Sequence, residues 1–382
     1  MVGTGWNLLT VLQPILPQDR LYCAVYPPKG WRGVSAVQQD SRFIVKQANA
    51  VSAARQQSLQ RYLRSAAEKN LELGGMATMA EISRRVDRLT VDHLAVVVRT
   101  LAASPPPVTV DHTFLKYGLA TEVLRFFFGN QWTNENAFSV HQDVSIHHRQ
   151  GRRFLRTDST EPDDQFRHMQ RVATLAEITF NLQGVDGLRQ RISLMDKHDL
   201  ESALGEMECA ALLARPELQF RFVTPSGSKG LDYEAEVTTS AKRTVCCEMK
   251  AKSESTPFDA QTLWSTLEKA RKQLRKTEPG LVLAKVPEEW PKQQDSQRVV
   301  EDAVGKVLRQ SQRLVGVVLL WEEWHRAPEG LNLVVSRFKQ YPNRNSRLYQ
   351  SDIDDLLAVI GRASNPSWVS FHAFVEQTGP RS

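Results

Sequence analysis

Residues 230–252 read GLDYEAEVTTSAKRTVCCEMKAK, and this stretch decides the fold prediction. Its last segment, Thr244 to Lys252, has the composition of a strand. Successive side chains of a strand point to opposite faces, so Cys246, Glu248 and Lys250 are predicted to share one face. The other face carries Val245, Cys247, Met249 and Ala251. The segment therefore predicts a strand with one charged and one apolar face.

The elements around this strand follow in a regular order. A helix from His198 to Arg215 ends before Pro216, and two β-rich segments lead into the quoted strand. The short turns between these segments predict an antiparallel meander. Downstream, the sequence predicts a helix over 259–276, a strand over 281–286, a further helix and a strand over 315–321. The order is helix, three strands, helix, strand, helix, strand.

The charged side chains of the meander predict a cation site. Glu248 and Lys250 project together, and a neighbouring strand that ends near Asp232 can bring a second carboxylate beside them. Carboxylate oxygens are the ligands that Mg²⁺ prefers, and a bound Mg²⁺ lowers the pKa of its water and neutralises charge on a phosphate. A lysine amine can orient the attacking water and stabilise the transition state. This combination suits phosphodiester hydrolysis.

Two short motifs resemble a known family. Gly-Leu-Asp-Tyr at 230–233 and Glu-Met-Lys at 248–250 resemble the signature of the PD-(D/E)xK, or restriction-endonuclease-like, nuclease superfamily. The order of elements over 198 to about 325 is similar to the family core, and Leu231 stands where the motif's name places proline. The resemblance implies that Asp232 and Glu248 bind the metal and that Lys250 is the catalytic lysine. It also implies a supporting glutamate on the preceding helix, with Glu206 as first choice and Glu208 as second.

The predicted fold is α/β in two parts. Residues 191–382 are expected to form a restriction-endonuclease-like core with a mixed central sheet flanked by helices. Residues 1–190 are expected to form a separate, mainly helical α+β domain for recognition, regulation or assembly. Its predicted helices cover 49–70, 79–101, 113–128 and 163–181, and residues 132–160 are expected to be irregular.

The expected activity is that of a metal-dependent nuclease, more specifically an endonuclease, with Mg²⁺ or Mn²⁺ as cofactor. Nucleic acid is the expected partner, with DNA ahead of RNA, and the formal net charge of +6 is compatible with an acidic partner. Lys252, Lys272 and Gln273 are predicted to contact the nucleic acid. For most of the basic side chains on the helix predicted over 259–276, the interpretation as simply solvated residues is favoured over contact with a substrate.

Other interpretations stay open. Asp232, Glu248 and Lys250 could form an ordinary cross-strand ion pair on a solvated face. The same fold could serve as a non-catalytic scaffold that binds nucleic acid or a protein. The chain could also act as a homo-oligomer, or as a subunit of a larger defence or mobile-element complex. The histidines at 141, 147, 148 and 168 have no spacing that brings three of them together, so they are not predicted to bind a metal.

Composition predicts a cytoplasmic protein without a membrane segment. The longest apolar run, Leu314 to Trp321, is far shorter than the roughly 20 residues that cross a bilayer. Pro14 interrupts the apolar stretch near the N-terminus, which argues against an export signal. The four cysteines lack C-x-x-C spacing and predict neither a zinc site nor a disulfide framework.

Overall fold

A computed structural model describes residues 86–103, 112–137, 162–195, 199–224, 233–326, 332–362 and 365–379. The predicted helix at 49–70 and the predicted metal ligand Asp232 lie outside these residues. No helix in the described part of the chain has the length and apolarity needed to span a membrane. Within it, Cys209, Cys246 and Cys247 are free, buried thiols.

The first part of the described chain is helical. Its helices are α1 (Val91–Ala102), α2 (His112–Phe128), α3 (Asn130–Asn136), α4 (Pro162–Leu182) and α5 (Leu188–Met195). The predictions of helices over 113–128 and 163–181 are confirmed by α2 and α4. The prediction of irregular structure from Trp132 onwards was wrong as far as Asn136, because α3 covers that stretch, and residues 138–160 lie outside the description.

The helix predicted over 79–101 begins later than expected. Residues 86–90 are not helical, and α1 starts only after Thr90. The Thr90 hydroxyl accepts a hydrogen bond from the backbone N–H of His93 at 3.4 Å, and His93 Nδ1 accepts one from the backbone N–H of Thr90 at 3.0 Å. This reciprocal cap satisfies two N–H groups that a helix start leaves without partners. The apolar periodicity therefore extended beyond the real helix.

A mixed six-stranded sheet follows, in the order β1-β2-β3-β4-β5-β6. The strands are β1 (Gln219–Phe222), β2 (Ala235–Thr238), β3 (Thr244–Ala251), β4 (Gly280–Lys285), β5 (Leu314–Arg326) and β6 (Asn332–Pro342). The first three strands are antiparallel neighbours, which confirms the predicted meander. Strands β3, β4 and β5 are parallel, and β6 returns antiparallel to β5.

Helices cover both faces of the sheet. Helix α6 (Leu200–Leu213) and the apolar side of β3 share one core, to which α9 (Ser351–Ile360) also contributes. Helices α7 (Ala260–Gln273) and α8 (Ser296–Arg309) share a second core with Cys246, Val282 and Ala284 on the opposite face. The α/β prediction of a mixed sheet flanked by helices is therefore confirmed for this region. The alternative of a solvated face on β3 does not hold for Glu248, because α7 and α8 pack on the face that carries Cys246 and Glu248 is buried.

A third core joins helices from both ends of the described chain. It contains Leu94 of α1, Leu124 of α2 and Leu175 of α4, together with Phe371 and Val375 of the last helix, α10 (Phe371–Thr378). Residues on both sides of the predicted boundary near 190 therefore contribute to one apolar cluster. The division into 1–190 and 191–382 stays a prediction.

His372 on α10 gives this helical core a pH response. Burial, followed by the positive charges of Lys116 and His112, lowers the pKa of His372 to about 4 from 6.5. Unfolding restores the ordinary pKa, so the unfolded chain binds the extra proton between pH 6.5 and pH 4. We expect the unfolding free energy to fall by about 1–2 kcal/mol across this window as the pH is lowered.

Denaturant unfolding of the wild type and of His372→Gln at pH 7, 5.5 and 4.5 measures this contribution. The variant cannot take up the proton, so its stability relative to the wild type should rise as the pH falls. The contributions of the other titrating groups to the unfolding free energy are the same in both proteins, so they cancel in the difference. A stability difference that is the same at all three pH values would contradict the assignment.

Candidate functional site

Glu248 and Lys250 lie near the carboxyl end of β3. Their side chains share a face of the strand, as the period of two predicts, and Lys250 Nζ lies 2.5 Å from Glu248 Oε1. Glu248 has an exposed fraction of 0%, whereas the Lys250 side chain is 23% exposed. Strand β3 is internal in the sheet and is covered on both faces, which explains the burial. Glu248 is therefore not part of a solvated strand face.

Lys250 is the one cation in contact with the Glu248 carboxylate among the described residues. Its ammonium lies 2.5 Å from Oε1, and Oε2 has no hydrogen-bond partner in the described part of the chain. Burial raises the pKa of Glu248 to about 8; the charge and hydrogen bond of Lys250 oppose this, and the carboxylates of Glu234 and Glu206 add to it. A buried carboxylate with so few donors costs free energy, so this position is unfavourable for the fold alone.

Glu206 reaches the same place from α6. Burial raises the pKa of Glu206, and the charges of Glu234 and Lys250 both act on it, so these groups lie close together. The helix approaches β3 closely because Gly205 has no side chain. A Cβ at that position would meet Cβ of Ala251 at 2.5 Å. Of the two glutamates considered on this helix, Glu206 is the one beside Lys250.

Glu208 faces a second ionic cluster instead. Its carboxylate pairs with the amine of Lys285 on β4, which also contacts Glu322 Oε2 of β5 at 3.3 Å. Burial raises the pKa of Glu208 to about 8, although Lys285 opposes the shift. Beside this cluster is a cavity of about 10 Å³, lined among others by Lys252, Glu254 and Lys285. This is room for about one water molecule.

Two residues that were not predicted complete the first cluster. Glu234 directly precedes β2, and its backbone N–H donates to the carbonyl oxygen of Cys247 at 3.1 Å, which places it beside Glu248. Arg191 of α5 donates from Nη1 to Glu234 and from Nη2 to Glu206. Glu234 comes two residues after Asp232, and the alternation of a strand predicts that residues two apart share a face. The sequence therefore contained a pattern that could have identified Glu234. No pattern pointed to Arg191.

We call Arg191, Glu206, Glu234, Glu248 and Lys250 the β3 cluster. It collects groups from α5, α6, the start of β2 and β3. The side chains of Glu206, Glu234 and Arg191 are 17%, 16% and 14% exposed, respectively. The cluster therefore has a buried end at Glu248 and a partly open end at the other residues.

The three predicted nucleic-acid contacts lie on two elements. Lys252 follows β3 and is close to the β3 cluster, and burial followed by the charge of Lys269 lowers its pKa. Lys272 and Gln273 lie in the last turn of α7. Arg313 holds that turn beside Gly280. Its side-chain Nη1 donates to the carbonyl oxygen of Leu274 at 2.7 Å, and its backbone carbonyl oxygen accepts from the backbone N–H of Gly280 at 3.0 Å.

Gly280 pairs with Cys246, four residues before Lys250 along β3. Four residues of strand span roughly 13 Å. Lys272 and Gln273 are therefore displaced from Lys250 along the sheet. The Lys272 side chain is 62% exposed and lies 3.4 Å from Glu268 Oε1, in an ordinary surface ion pair.

Comparison with known proteins adds no relative. The chain matches no protein-family model, no curated protein and no solved structure. The resemblance to PD-(D/E)xK nucleases thus rests on the two short motifs and on the order of elements.

The donor set of the β3 cluster has the chemistry of an Mg²⁺ site but is incomplete without Asp232. Carboxylate oxygens are available from Glu206, Glu234 and Glu248, and Oε2 of Glu248 has no hydrogen-bond partner among the described residues. No three acidic, histidine or cysteine side chains of the described residues are arranged to hold a metal ion. Arg191 contacts two of these carboxylates, so its positive charge opposes a second cation at the same place. The predicted ligand Asp232 lies outside the described residues.

Proposed function

We propose that the chain is a Mg²⁺- or Mn²⁺-dependent nuclease that hydrolyses phosphodiester bonds of nucleic acid, with DNA as the first substrate to test. The observation that supports this most directly is Glu248, a fully buried carboxylate that contacts the Lys250 ammonium through Oε1 and whose Oε2 has no hydrogen-bond partner among the described residues. Two further carboxylates and a lysine amine lie beside it. Groups that are unfavourable for stability are often retained for function.

Each group has a role in this proposal. Glu248, Glu206 and Asp232 would supply the oxygen ligands, with Glu234 as a further acceptor at the same place. A divalent ion held there would activate a water and neutralise charge on the phosphate. Lys250 reaches from the buried carboxylate towards the partly open end. Its amine can hold a phosphate oxygen and orient the water. Lys252 comes two residues later in the chain, and its charge can attract a phosphate of the nucleic acid.

Incubation of the purified chain with plasmid DNA or with RNA tests the proposal. We expect cleavage with Mg²⁺ or Mn²⁺, none with EDTA, and loss of cleavage in Asp232→Asn because one ligand becomes neutral. Asp355→Asn, an exposed aspartate on α9, is the matched control and should cleave like the wild type. Cleavage by Asp232→Asn at the wild-type rate would contradict the assignment of this ligand.

A second candidate function is supported by Arg191 and Lys285. Both cations bridge pairs of glutamates, so the ionic groups can be explained as structural links between helices and sheet. In that case the chain would be a non-catalytic scaffold that binds nucleic acid or a protein, alone, as a homo-oligomer or within a larger complex. Calorimetry with MgCl₂ distinguishes the two, because only the nuclease proposal requires binding that is lost in Glu248→Gln.

A further inference from the structure

A groove lined by aromatic side chains lies between the end of α2 and helix α5. Its volume is about 690 Å³, which is within the range of about 300–1,000 Å³ found for ligand sites. The apolar side chains that line it come from α2, from α3, from α5 and from the first described residue: Phe126, Phe127, Phe128, Trp132, Ile192 and Val86. We call the space between these six side chains the aromatic groove.

The rings of the aromatic groove are held in fixed pairs. Phe128 and Trp132 are stacked, with ring centroids 4.1 Å apart and planes at 21° to each other. Phe126 and Phe127 meet edge to face, with centroids 5.0 Å apart. All four side chains pack against the helical core on one side and are half-buried. Such a rigid surface loses little conformational freedom when a flat ring is placed against it.

The rim of the groove carries hydrogen-bonding groups and a cation. Asp87 and Glu135 contribute carboxylates, and the side-chain amide of Gln131 donates to Glu135 Oε1 at 2.9 Å. Arg189 of α5 is exposed and donates to the backbone carbonyl oxygen of Asp87 at 2.9 Å. Amides and carboxylates can hydrogen-bond to the edge of a base, whereas a guanidinium attracts a phosphate. The rim therefore fits a base inside the groove and a phosphate beside α5.

Helix α5 stands between the aromatic groove and the β3 cluster. Successive residues of a helix are turned by about 100°, so Arg189 and Ile192 share one side of α5 and Arg191 points to roughly the opposite side. The contacts agree, since Arg189 and Ile192 line the groove. Arg191 instead contacts two glutamates of the β3 cluster. The two places are thus about one helix diameter apart, or about 10–12 Å. Stacked nucleotides advance about 3.4 Å each, so about three of them bridge this distance.

We propose that the aromatic groove binds an unpaired base of a single-stranded nucleic acid, about three nucleotides from the phosphate that faces Lys250. This inference rests on the proposed function, and it makes a strand with an unpaired segment the preferred substrate. Every base has a flat face that stacks on an aromatic ring, so the groove requires no particular sequence. In a duplex the bases are already stacked and paired, and removing one from the stack costs free energy.

Fluorescence anisotropy of a labelled oligodeoxyadenylate in EDTA tests the groove without cleavage. We expect Trp132→Leu to bind this strand about tenfold more weakly than the wild type, because leucine keeps an apolar contact with the core but has no ring for a base to stack on. Phe126→Leu should show a loss in the same direction, and it covers the case in which Trp132→Leu does not fold. Circular dichroism confirms that each protein is folded.

The matched control is Trp321→Leu. Trp321 is also a half-buried tryptophan, but it lies on β5, whereas α5 contacts β1 at the far side of the sheet. Its substitution removes an aromatic ring of the same size without touching the groove. The affinity of this variant for the oligodeoxyadenylate should equal that of the wild type.

An abasic strand with the same number of phosphates separates stacking from charge. It lacks the rings that the groove holds, so the wild type and Trp132→Leu should bind it equally. Arg189→Gln removes a cation and no ring. It should weaken the binding of both strands and lower the salt dependence of the affinity by about one phosphate contact.

The outcomes separate this inference from the proposed function. A loss in Trp132→Leu and Phe126→Leu that is confined to the strand with bases supports the inference. Equal affinities in all of these proteins, an equal loss for both strands, or absence of binding by the wild type overturns it. Self-association of the wild type that disappears in Trp132→Leu would overturn it as well, because the groove would then join two copies of the chain. Failure of the proposed function appears instead as absence of Mg²⁺-dependent cleavage of DNA and RNA.

Discussion

Replacement of Lys250 by alanine is expected to lower the rate of DNA cleavage by about 100-fold or more, because this substitution removes the amine that contacts Glu248 and faces the open end of the β3 cluster. The amine acts on charge that develops in the transition state. The loss should therefore appear in kcat rather than in KM. Single-turnover cleavage of a labelled duplex at saturating Mg²⁺ measures it.

The control for Lys250→Ala is Lys272→Ala. Lys272 is also a lysine with a nearby glutamate, but it is exposed on the last turn of α7 and displaced from Lys250 along the sheet. Its removal should change cleavage by less than about twofold at physiological salt. Wild-type cleavage by Lys250→Ala, in a protein whose circular dichroism is unchanged, would remove Lys250 from the catalytic proposal. An equal loss in both variants would indicate a general effect on DNA binding.

The substitution Glu248→Gln is expected to abolish Mg²⁺ binding and cleavage while it raises the stability of the metal-free protein. The carboxylate is fully buried, its Oε2 has no hydrogen-bond partner among the described residues, and burial raises its pKa to about 8, so a neutral amide of the same shape relieves a desolvation cost. The loss of the ion pair between Lys250 and Glu248 offsets part of this relief, and we expect a net gain of about 1–3 kcal/mol in unfolding free energy. Denaturant unfolding in EDTA measures this gain.

The gain should depend on pH in a defined direction. The pKa of Glu248 is about 8 in the folded protein and about 4.5 when unfolded. Between these values the unfolded chain has released the proton and the folded chain retains it, so the wild type loses stability as the pH rises. The advantage of Glu248→Gln should be small at pH 5 and larger at pH 8. A variant that is less stable than the wild type at both pH values would contradict this account.

Glu236 supplies a matched control for Glu248→Gln. It lies on the neighbouring strand and is also buried, but it accepts hydrogen bonds from Tyr233 and from Arg221 Nε at 2.8 Å. Burial raises its pKa, and the hydrogen bonds and positive charges around it outweigh burial, so the net shift is downwards. Glu236→Gln should therefore lower stability, in contrast to Glu248→Gln. The comparison separates a carboxylate with several hydrogen-bond donors from one that contacts Lys250 alone among the described residues.

Local patterns in the sequence were sufficient for the type and order of most elements. The period of two in β3 placed Glu248 and Lys250 on one face, and the structure brings the two side chains to 2.5 Å. Short turns predicted the antiparallel meander, and strands separated by helices predicted the mixed sheet. The start of α1 was misplaced because apolar spacing continued past the cap at Thr90. These features depend on neighbours within a few residues, which a sequence displays directly.

Side chains two positions apart on a helix point in different directions, so Glu206 and Glu208 could not both face Lys250. Only the packing of α6 on β3, made close by Gly205, decided that Glu206 does so and that Glu208 pairs with Lys285. The burial of Glu248 likewise depends on α7 and α8 covering its face. Arg191 reaches glutamates 15 and 43 residues away in sequence. Such contacts are decided by how strands pair and helices pack, because residue type and short-range spacing carry no information about which distant side chain will supply the opposite charge.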